Sequence, residues 1–170
     1  MVQLTGTMSF NLDPPPGFAG FDEHKPLRIY HRNLPHWRQA GAWYAVTFRL
    51  NDALPQSKLQ ALKRHRQLWE LQHPEPRDES LWHQFAREVA AMTERWMDEG
   101  YGVCHFRNRE LAQIVSETLQ FYEDKKCSVP CFTIMPNHVH AVMHPYDGHE
   151  LEDVLKSVKG WSSRQVNQVL

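Results

Sequence analysis

The segment CSVPCFTIMPNHVHAVMH, residues 127–144, gives the strongest indication of the fold. It contains two stretches of strand-forming residues, 127–135 and 138–144, which meet at a Met-Pro-Asn sequence. Proline and asparagine favour turns, because proline presets φ and the asparagine side chain hydrogen-bonds to nearby backbone. The segment therefore predicts two antiparallel strands joined by a tight turn.

The second of these strands alternates histidines with apolar residues. Because successive side chains point to opposite faces of a strand, His138 and His140 share one face, and Val139 and Ala141 face a core on the other. The two histidines lie about 6.6 Å apart along the strand, which allows both imidazoles to bind one divalent ion. The same pattern also occurs on half-exposed strands that bind no metal, so both interpretations stay open.

The rest of the chain predicts one more strand and four helices. WYAVTFRL, residues 43–50, is rich in β-branched and aromatic residues and predicts the first strand of the sheet. Helical spacing of apolar residues follows at 56–71, 80–98, 108–124 and 150–169. This order predicts an α+β fold, a ferredoxin-like antiparallel sheet with a helical insertion after the first strand.

The domain prediction divides the chain into an arm and a core. Residues 1–23 include three consecutive prolines, which disfavour helix and sheet, and are expected to form a flexible N-terminal arm. Residues 24–170 are expected to form the core, with the helical insert at about 55–99. Leu59, Leu62 and Leu68 are expected to lie near one face of the first helix. The residues expected to be buried on the last helix are Leu151, Val154, Leu155, Val158 and Trp161.

The charge pattern is uneven although the net charge is only -1. Residues 24–69 carry nine Lys or Arg and one Asp, together with several Trp, Tyr and Phe, whereas 70–99 carry eight acids and three Arg. Cations mixed with aromatic rings suit a nucleic-acid strand, because cations meet phosphates and rings stack on bases. A solvated basic face over ordinary core aromatics is the alternative interpretation.

Length and composition exclude several classes of protein. A chain of 170 residues fits one domain with a sizeable core. Cys127 and Cys131 would share one strand about 13 Å apart, too far for a disulfide, so a reducing cytoplasm is the expected location. No apolar run reaches the roughly 20 residues that span a bilayer, and the start has no basic region or long apolar stretch typical of a secretory signal. A membrane partner is therefore not expected.

The histidine strand also resembles a known family. FTIMPNHVH, residues 132–140, resembles the histidine-hydrophobe-histidine motif of the single-tyrosine HUH transposases. LPHWRQAGAWYAVTFRLNDALP (34–55), GYGVCHFRN (100–108) and LKSVKGWSSRQVN (155–167) are similar to segments of the REP-associated tyrosine transposases. The resemblance spans roughly residues 25–170.

The resemblance implies a function and a set of site residues. Such enzymes cut single-stranded DNA beside an imperfect hairpin through a 5′-phosphotyrosine, and Mg²⁺ or Mn²⁺ on the two histidines polarises the scissile phosphate. It implies His138 and His140 as metal ligands. It implies single-stranded or hairpin DNA as the partner of a monomer or dimer. The candidate DNA contacts are Arg49, Asn137, Lys156, Lys159, Ser163 and Arg164.

The nucleophile is where the sequence departs from the family. The family's tyrosine lies on a further helix after the lysine-bearing one, and we expect that helix to be missing, since the sequence ends at Leu170. Tyr146, in the loop after the histidine strand, is the remaining candidate. Tyr122 on the third helix is expected to pack in the core.

Three alternatives to an active transposase stay open at this point. The chain could be a non-catalytic DNA-binding remnant or regulator with the same fold. It could be a metal-dependent hydrolase in which His138 and His140 activate water. The histidine pair could also be an accident in a structural domain.

Overall fold

The computed structural model of the protein describes residue 24, residues 28–31 and residues 35–170. The predicted flexible arm, residues 1–23, lies outside the described residues. In the described part of the chain no helix is both long and apolar enough to cross a membrane. All three cysteines are free thiols, in agreement with the exclusion of a disulfide framework.

The described part of the chain contains five strands, four α-helices and a short 3-10 helix at His105–Arg107. The strands are β1 (Arg28–His31), β2 (Pro35–Arg38), β3 (Tyr44–Arg49), β4 (Cys127–Ile134) and β5 (His138–Pro145). The helices are α1 (Gln56–Gln72), α2 (Glu79–Asp98), α3 (Arg109–Tyr122) and α4 (Leu151–Val169). Each helix lies within a few residues of its predicted range. The hairpin of β1 and β2 was not predicted.

The main sheet has three antiparallel strands in the order β3-β5-β4. The histidine strand β5 is therefore the middle strand, with backbone hydrogen bonds on both sides. β4 lies at an edge and contains Pro130, which has no N–H to donate, and its register shifts between Ser128 and Cys131. The predicted α+β class with an antiparallel, ferredoxin-like sheet is confirmed.

The core lies on the face of β5 opposite the histidines. Val139, Ala141 and Met143 are buried there, as strand alternation predicts. Asn108 caps α3, because its side chain accepts a hydrogen bond from the backbone N–H of Glu110 at 3.0 Å. The core residues that α3 and α4 contribute are Val115, Leu119, Leu151, Val154 and Val158.

The insert of α1 and α2 has a small aromatic core of its own. Trp69, Phe85 and Val89 are buried together, and the rings of Trp69 and Phe85 lie 4.4 Å apart. Leu68, which was expected near the apolar face of α1, is 59% exposed, because α1 turns Trp69 inward. The larger aromatic surface of Trp69 packs on α2 in its place.

The predicted burial of Trp161 on α4 is wrong. Its side chain is 51% exposed, beside the exposed ring of Phe121 on α3. The buried position one residue later is Ser162, whose hydroxyl donates to the carbonyl of Val158 at 2.8 Å. The side of α4 that faces the core is therefore narrower than the apolar pattern indicated.

The link between the insert and α3, residues 99–108, is held closely against the turn after β3. The backbone N–H of Val103 donates to the Asp52 carboxylate at 2.8 Å, which ties the link to the turn after β3. Gly102 has a φ of +86°, and a Cβ there would lie 2.7 Å from the Asp52 carbonyl oxygen. Any larger residue at position 102 would be strained by the positive φ and would collide with the backbone of Asp52. Glycine is therefore required there.

Candidate metal and nucleic-acid site

His138 and His140 meet on one face of the middle strand. Their Nε2 atoms lie 2.9 Å apart, and their ring planes are nearly perpendicular, at 89°. The geometry follows from strand alternation, since residues two apart point the same way. The side chain of His138 is 1% exposed and that of His140 is 33% exposed, so solvent reaches the pair from the His140 side.

Asn137 fixes the orientation of the His138 ring. Its amide nitrogen donates to the carbonyl oxygens of Met97 and Tyr101 at 3.1 and 3.0 Å. Its side-chain oxygen is therefore the group that faces His138 Nδ1, at 2.7 Å, and it accepts the hydrogen on that nitrogen. Nε2 of neutral His138 then carries a lone pair directed toward His140.

The surroundings of His138 favour its neutral form. Burial lowers the pKa of the His138 imidazole, and the neighbouring His140 lowers it further, while Asp98 and Glu94 act in the opposite direction. A neutral imidazole is the form that binds a metal ion. Burial thus favours the neutral ring, and the hydrogen bond that His138 donates to Asn137 determines that Nδ1 carries the hydrogen.

The neighbouring strand supplies a partner for His140. Thr47 of β3 lies opposite His140 in the sheet register, and its hydroxyl oxygen is 3.0 Å from His140 Nδ1. A hydroxyl can donate to that nitrogen or accept from it, so it supports either tautomer of the ring. Arg49 lies opposite His138 in the same register.

Two carboxylates of the insert face the histidine pair, and sequence reasoning missed both. Asp98 Oδ1 lies 3.8 Å from His138 Nε2, and Glu94 Oε1 lies 3.8 Å from His140 Nδ1. The signal available in the sequence was their spacing, because residues four apart share one helix face. The contact itself joins α2 to a strand forty residues away, which local periodicity does not predict.

The two Nε2 atoms of His138 and His140 are placed as two of the ligands of a divalent cation would be. Two ligands at right angles around an ion with bonds of about 2.1 Å lie about 3 Å apart, which is close to the observed Nε2 separation. Within the residues that the structure describes, no group of three or more His, Cys, Asp or Glu side chains forms a complete metal site. His138 and His140 would therefore hold the ion from two adjacent positions.

Three of the predicted DNA contacts lie along one cleft. Arg49, Lys159 and Ser163 line a cleft of about 810 Å³ between the end of β3 and α4, together with Thr47. Arg49 donates two hydrogen bonds to the carbonyls of Leu50 and Asn51, which hold its guanidinium at the rim. The cleft therefore begins at Thr47, the residue that contacts His140.

The other predicted contacts lie elsewhere. Lys156 is exposed on α4 and is not among the residues that line the cleft. Arg164 is five residues from Lys159, about 140° around the helix, and its guanidinium lies 5.8 Å from the centre of the Trp161 ring. Asn137 is 1% exposed, with its amide used as described, so its setting is that of a residue that positions His138.

The structure does not bring Tyr146 to the His138–His140 pair. Tyr146 directly follows β5, at the end of the strand opposite to His138. It is six positions after His140, which corresponds to about 20 Å of extended chain. The side chain of Tyr122 packs against the main core, as expected for that residue.

Comparison with known proteins supports a transposase-like domain. Residues 101–170, the last 70 of the 170, match the family model described as "Transposase IS200 like". This segment contains His138 and His140, and the fold is consistent with a ferredoxin-like HUH transposase. Neither the curated proteins nor the solved structures give a match. The family match supports a DNA-processing function, with DNA as the partner that such a domain implies.

Proposed function

We propose that this protein is a REP-associated type of HUH transposase core that binds single-stranded or hairpin DNA and holds Mg²⁺ or Mn²⁺ on His138 and His140. The observation that carries the proposal is the 2.9 Å approach of two Nε2 atoms inside a segment that matches IS200-like transposases. A DNA substrate and free thiols are compatible with action in the cytoplasm.

The chain's own residues would prepare the site before DNA arrives. Asn137 holds His138 with its Nε2 lone pair directed into the site, and Thr47 supports His140 from the adjacent strand. A divalent ion bound there would neutralise charge on a scissile phosphate. The exposed side of His140 leaves an approach for that phosphate, because a third of its side chain is open to solvent.

Cations on both sides of Arg49 would guide the DNA strand. Arg49 lines the cleft that contains Lys159 and also a second cleft, of about 520 Å³, that contains Lys63 and Arg66. Arg49 therefore lies where the two clefts meet. A single strand that follows these side chains would pass beside Thr47 and the histidine pair, since phosphates follow positive charge.

Binding experiments with a matched strand control test the proposal. We expect a fluorescent oligonucleotide hairpin with single-stranded flanks to bind more tightly in MnCl₂ than in EDTA, as measured by anisotropy. His140→Ala should abolish the gain from Mn²⁺. His144→Ala should keep it, because His144 lies on the same face of β5 but stacks on Trp43, with ring centres 4.8 Å apart. An equal response of both variants would contradict the metal role of the pair.

The reaction products separate the catalytic alternatives. A protein–DNA adduct that survives denaturing electrophoresis would indicate transfer to a tyrosine, as the resemblance implies. A free 5′-phosphate product without an adduct would indicate a metal-dependent hydrolase. A mobility shift without cleavage would indicate a non-catalytic remnant or regulator, and no binding at all would contradict every DNA-based interpretation.

A further inference from the structure

We propose that the two-helix insert completes the cation site, with Asp98 on the last turn of α2 as the third protein ligand. This inference rests on the proposed metal role of His138 and His140. It assigns a function to the insert, whose residues lie before the matched segment 101–170. The carboxylate and the two imidazoles would then surround one ion from two different elements of the fold.

The distance between the two carboxylates of the insert is similar to the distance between the two histidines of β5. Glu94 and Asp98 are one turn apart on α2, about 6 Å along the helix axis at 1.5 Å per residue. His140 and His138 are about 6.8 Å apart along β5 at 3.4 Å per residue. The two spacings agree, so each carboxylate faces one imidazole, with Glu94 at His140 and Asp98 at His138.

Only one of the two carboxylates faces the metal-binding nitrogens. Asp98 Oδ1 is 3.8 Å from Nε2 of His138, the atom that also faces His140 Nε2. Adjacent ligands on one ion lie about 3 Å apart, so the carboxylate has to approach by about 1 Å. Its side chain is 56% exposed, which leaves room for that rotation. Glu94 lies at Nδ1 on the far side of His140, where it would orient the ring.

The backbone beneath Asp98 is held in place. The carbonyl of Met97 accepts a hydrogen bond from Asn137, the same residue that orients His138, and Met97 is buried. The last turn of α2 and the His138 ring therefore share one anchor. A hard carboxylate oxygen beside two imidazoles also suits Mg²⁺ or Mn²⁺ better than a site of nitrogen ligands alone, because these ions prefer oxygen.

Calorimetric titration of the purified protein with MnCl₂ alone tests the inference, and the electron paramagnetic resonance signal of free Mn²⁺ provides a second measure. We expect Asp98→Asn to weaken Mn²⁺ binding by about tenfold or more. Glu94→Gln should have a smaller effect. Glu117→Gln is the charge-matched control, because Glu117 is exposed on α3 and pairs with Gln113. It should bind Mn²⁺ like the original protein.

The variant Asp98→His distinguishes a residue that coordinates the metal from a negative charge that only lies near it. This variant loses the same negative charge as Asp98→Asn but offers a nitrogen donor, so a ligand at this position should make Zn²⁺ binding tighter in Asp98→His than in Asp98→Asn. Equal Zn²⁺ affinity of the two variants would overturn the ligand role. Circular dichroism melting curves should show that all variants are folded, which the exposure of Asp98 favours.

His140→Ala separates a failure of this inference from a failure of the proposed function. Loss of Mn²⁺ binding in His140→Ala and in Asp98→Asn would support both. Loss in His140→Ala with normal binding in Asp98→Asn would overturn the role of the insert and leave the histidine site standing. Normal Mn²⁺ binding in both variants would overturn both proposals.

Discussion

Asn137 orients the ring of His138, because its side-chain oxygen lies 2.7 Å from the ring nitrogen Nδ1 and accepts a hydrogen bond from it. The same amide group donates to the carbonyl of Met97 in the last turn of α2 and to that of Tyr101 in the connection that follows the helix. One buried side chain thus joins the turn before β5, the end of the insert and the orientation of an imidazole. Its position in the turn was predicted from the sequence, but its three partners were not.

Replacing Asn137 should destabilise the protein. Asn137→Ala removes the amide that donates to the Met97 and Tyr101 carbonyls and the oxygen that accepts from the buried His138 Nδ1. A buried polar group left unpaired costs about 1–3 kcal/mol. We expect a loss of that size in the free energy of unfolding, measured by urea denaturation. Asn167→Ala, at an exposed position on α4, serves as the control and should change stability little. Equal losses in the two variants would contradict the bridging role of Asn137.

Substitution of Gly102 should destabilise the protein more than substitution of Gly148, whose backbone conformation is similar. Gly102 and Gly148 have φ values of +86° and +81°, but only a Cβ at Gly102 would meet another group, Asp52, at 2.7 Å. Gly148→Ala should cost about 1–2 kcal/mol from the left-handed conformation alone. Gly102→Ala should cost more, as measured by thermal unfolding, because the Asp52 backbone must also move. A smaller loss at Gly102 than at Gly148 would show that the link is not held as described.

The three thiols should react at different rates with an alkylating reagent. Burial raises the pKa of the Cys127 thiol to about 11, and Glu123 adds to the rise, so little thiolate forms at pH 8. Cys131 is exposed on the edge strand, and Cys104 is buried. Mass spectrometry after brief iodoacetamide treatment should find one modified site, which Cys131→Ser removes. Rapid modification of Cys127 in the folded protein would contradict its burial.

Lys159 should contribute a phosphate contact that salt weakens. Each contact with single-stranded DNA makes the slope of log affinity against log salt steeper by about 0.7. Lys159→Ala should reduce the slope by about that amount, measured by anisotropy at several salt concentrations. Lys125→Ala is the matched control, since the Lys125 ammonium lies 3.3 Å from the centre of the Phe121 ring, away from the cleft. A change of the same size in the control would remove Lys159 from the DNA path.

Local chemistry explains which features could be predicted from the sequence. The cap of α3 at Asn108, the alternation around Val139 and the shared face of His138 and His140 all depend on neighbours within four residues. Such features follow from turn preferences and from the periods of helix and strand. The order of strands and helices then restricted the fold class.

The missed features depend on which distant surfaces meet. The exposure of Trp161 was missed because an apolar pattern does not show that the core ends before that side of α4. The carboxylates of Glu94 and Asp98 were counted only as part of an acidic segment. Their role depends on the packing of the insert over the histidine face of the sheet, which no local periodicity encodes.

The Asn137 bridge has a consequence for shortening this chain. A variant that lacks the two-helix insert would lose the Met97 acceptor, and the buried amide that faces it would have one hydrogen without a partner. The His138 ring would keep its place in β5, but the Asn137 side chain that sets its direction would be held by the Tyr101 carbonyl without the Met97 carbonyl. A protein shortened by the insert would therefore need a new acceptor for that hydrogen, or a new residue at position 137, to recover an ordered imidazole pair.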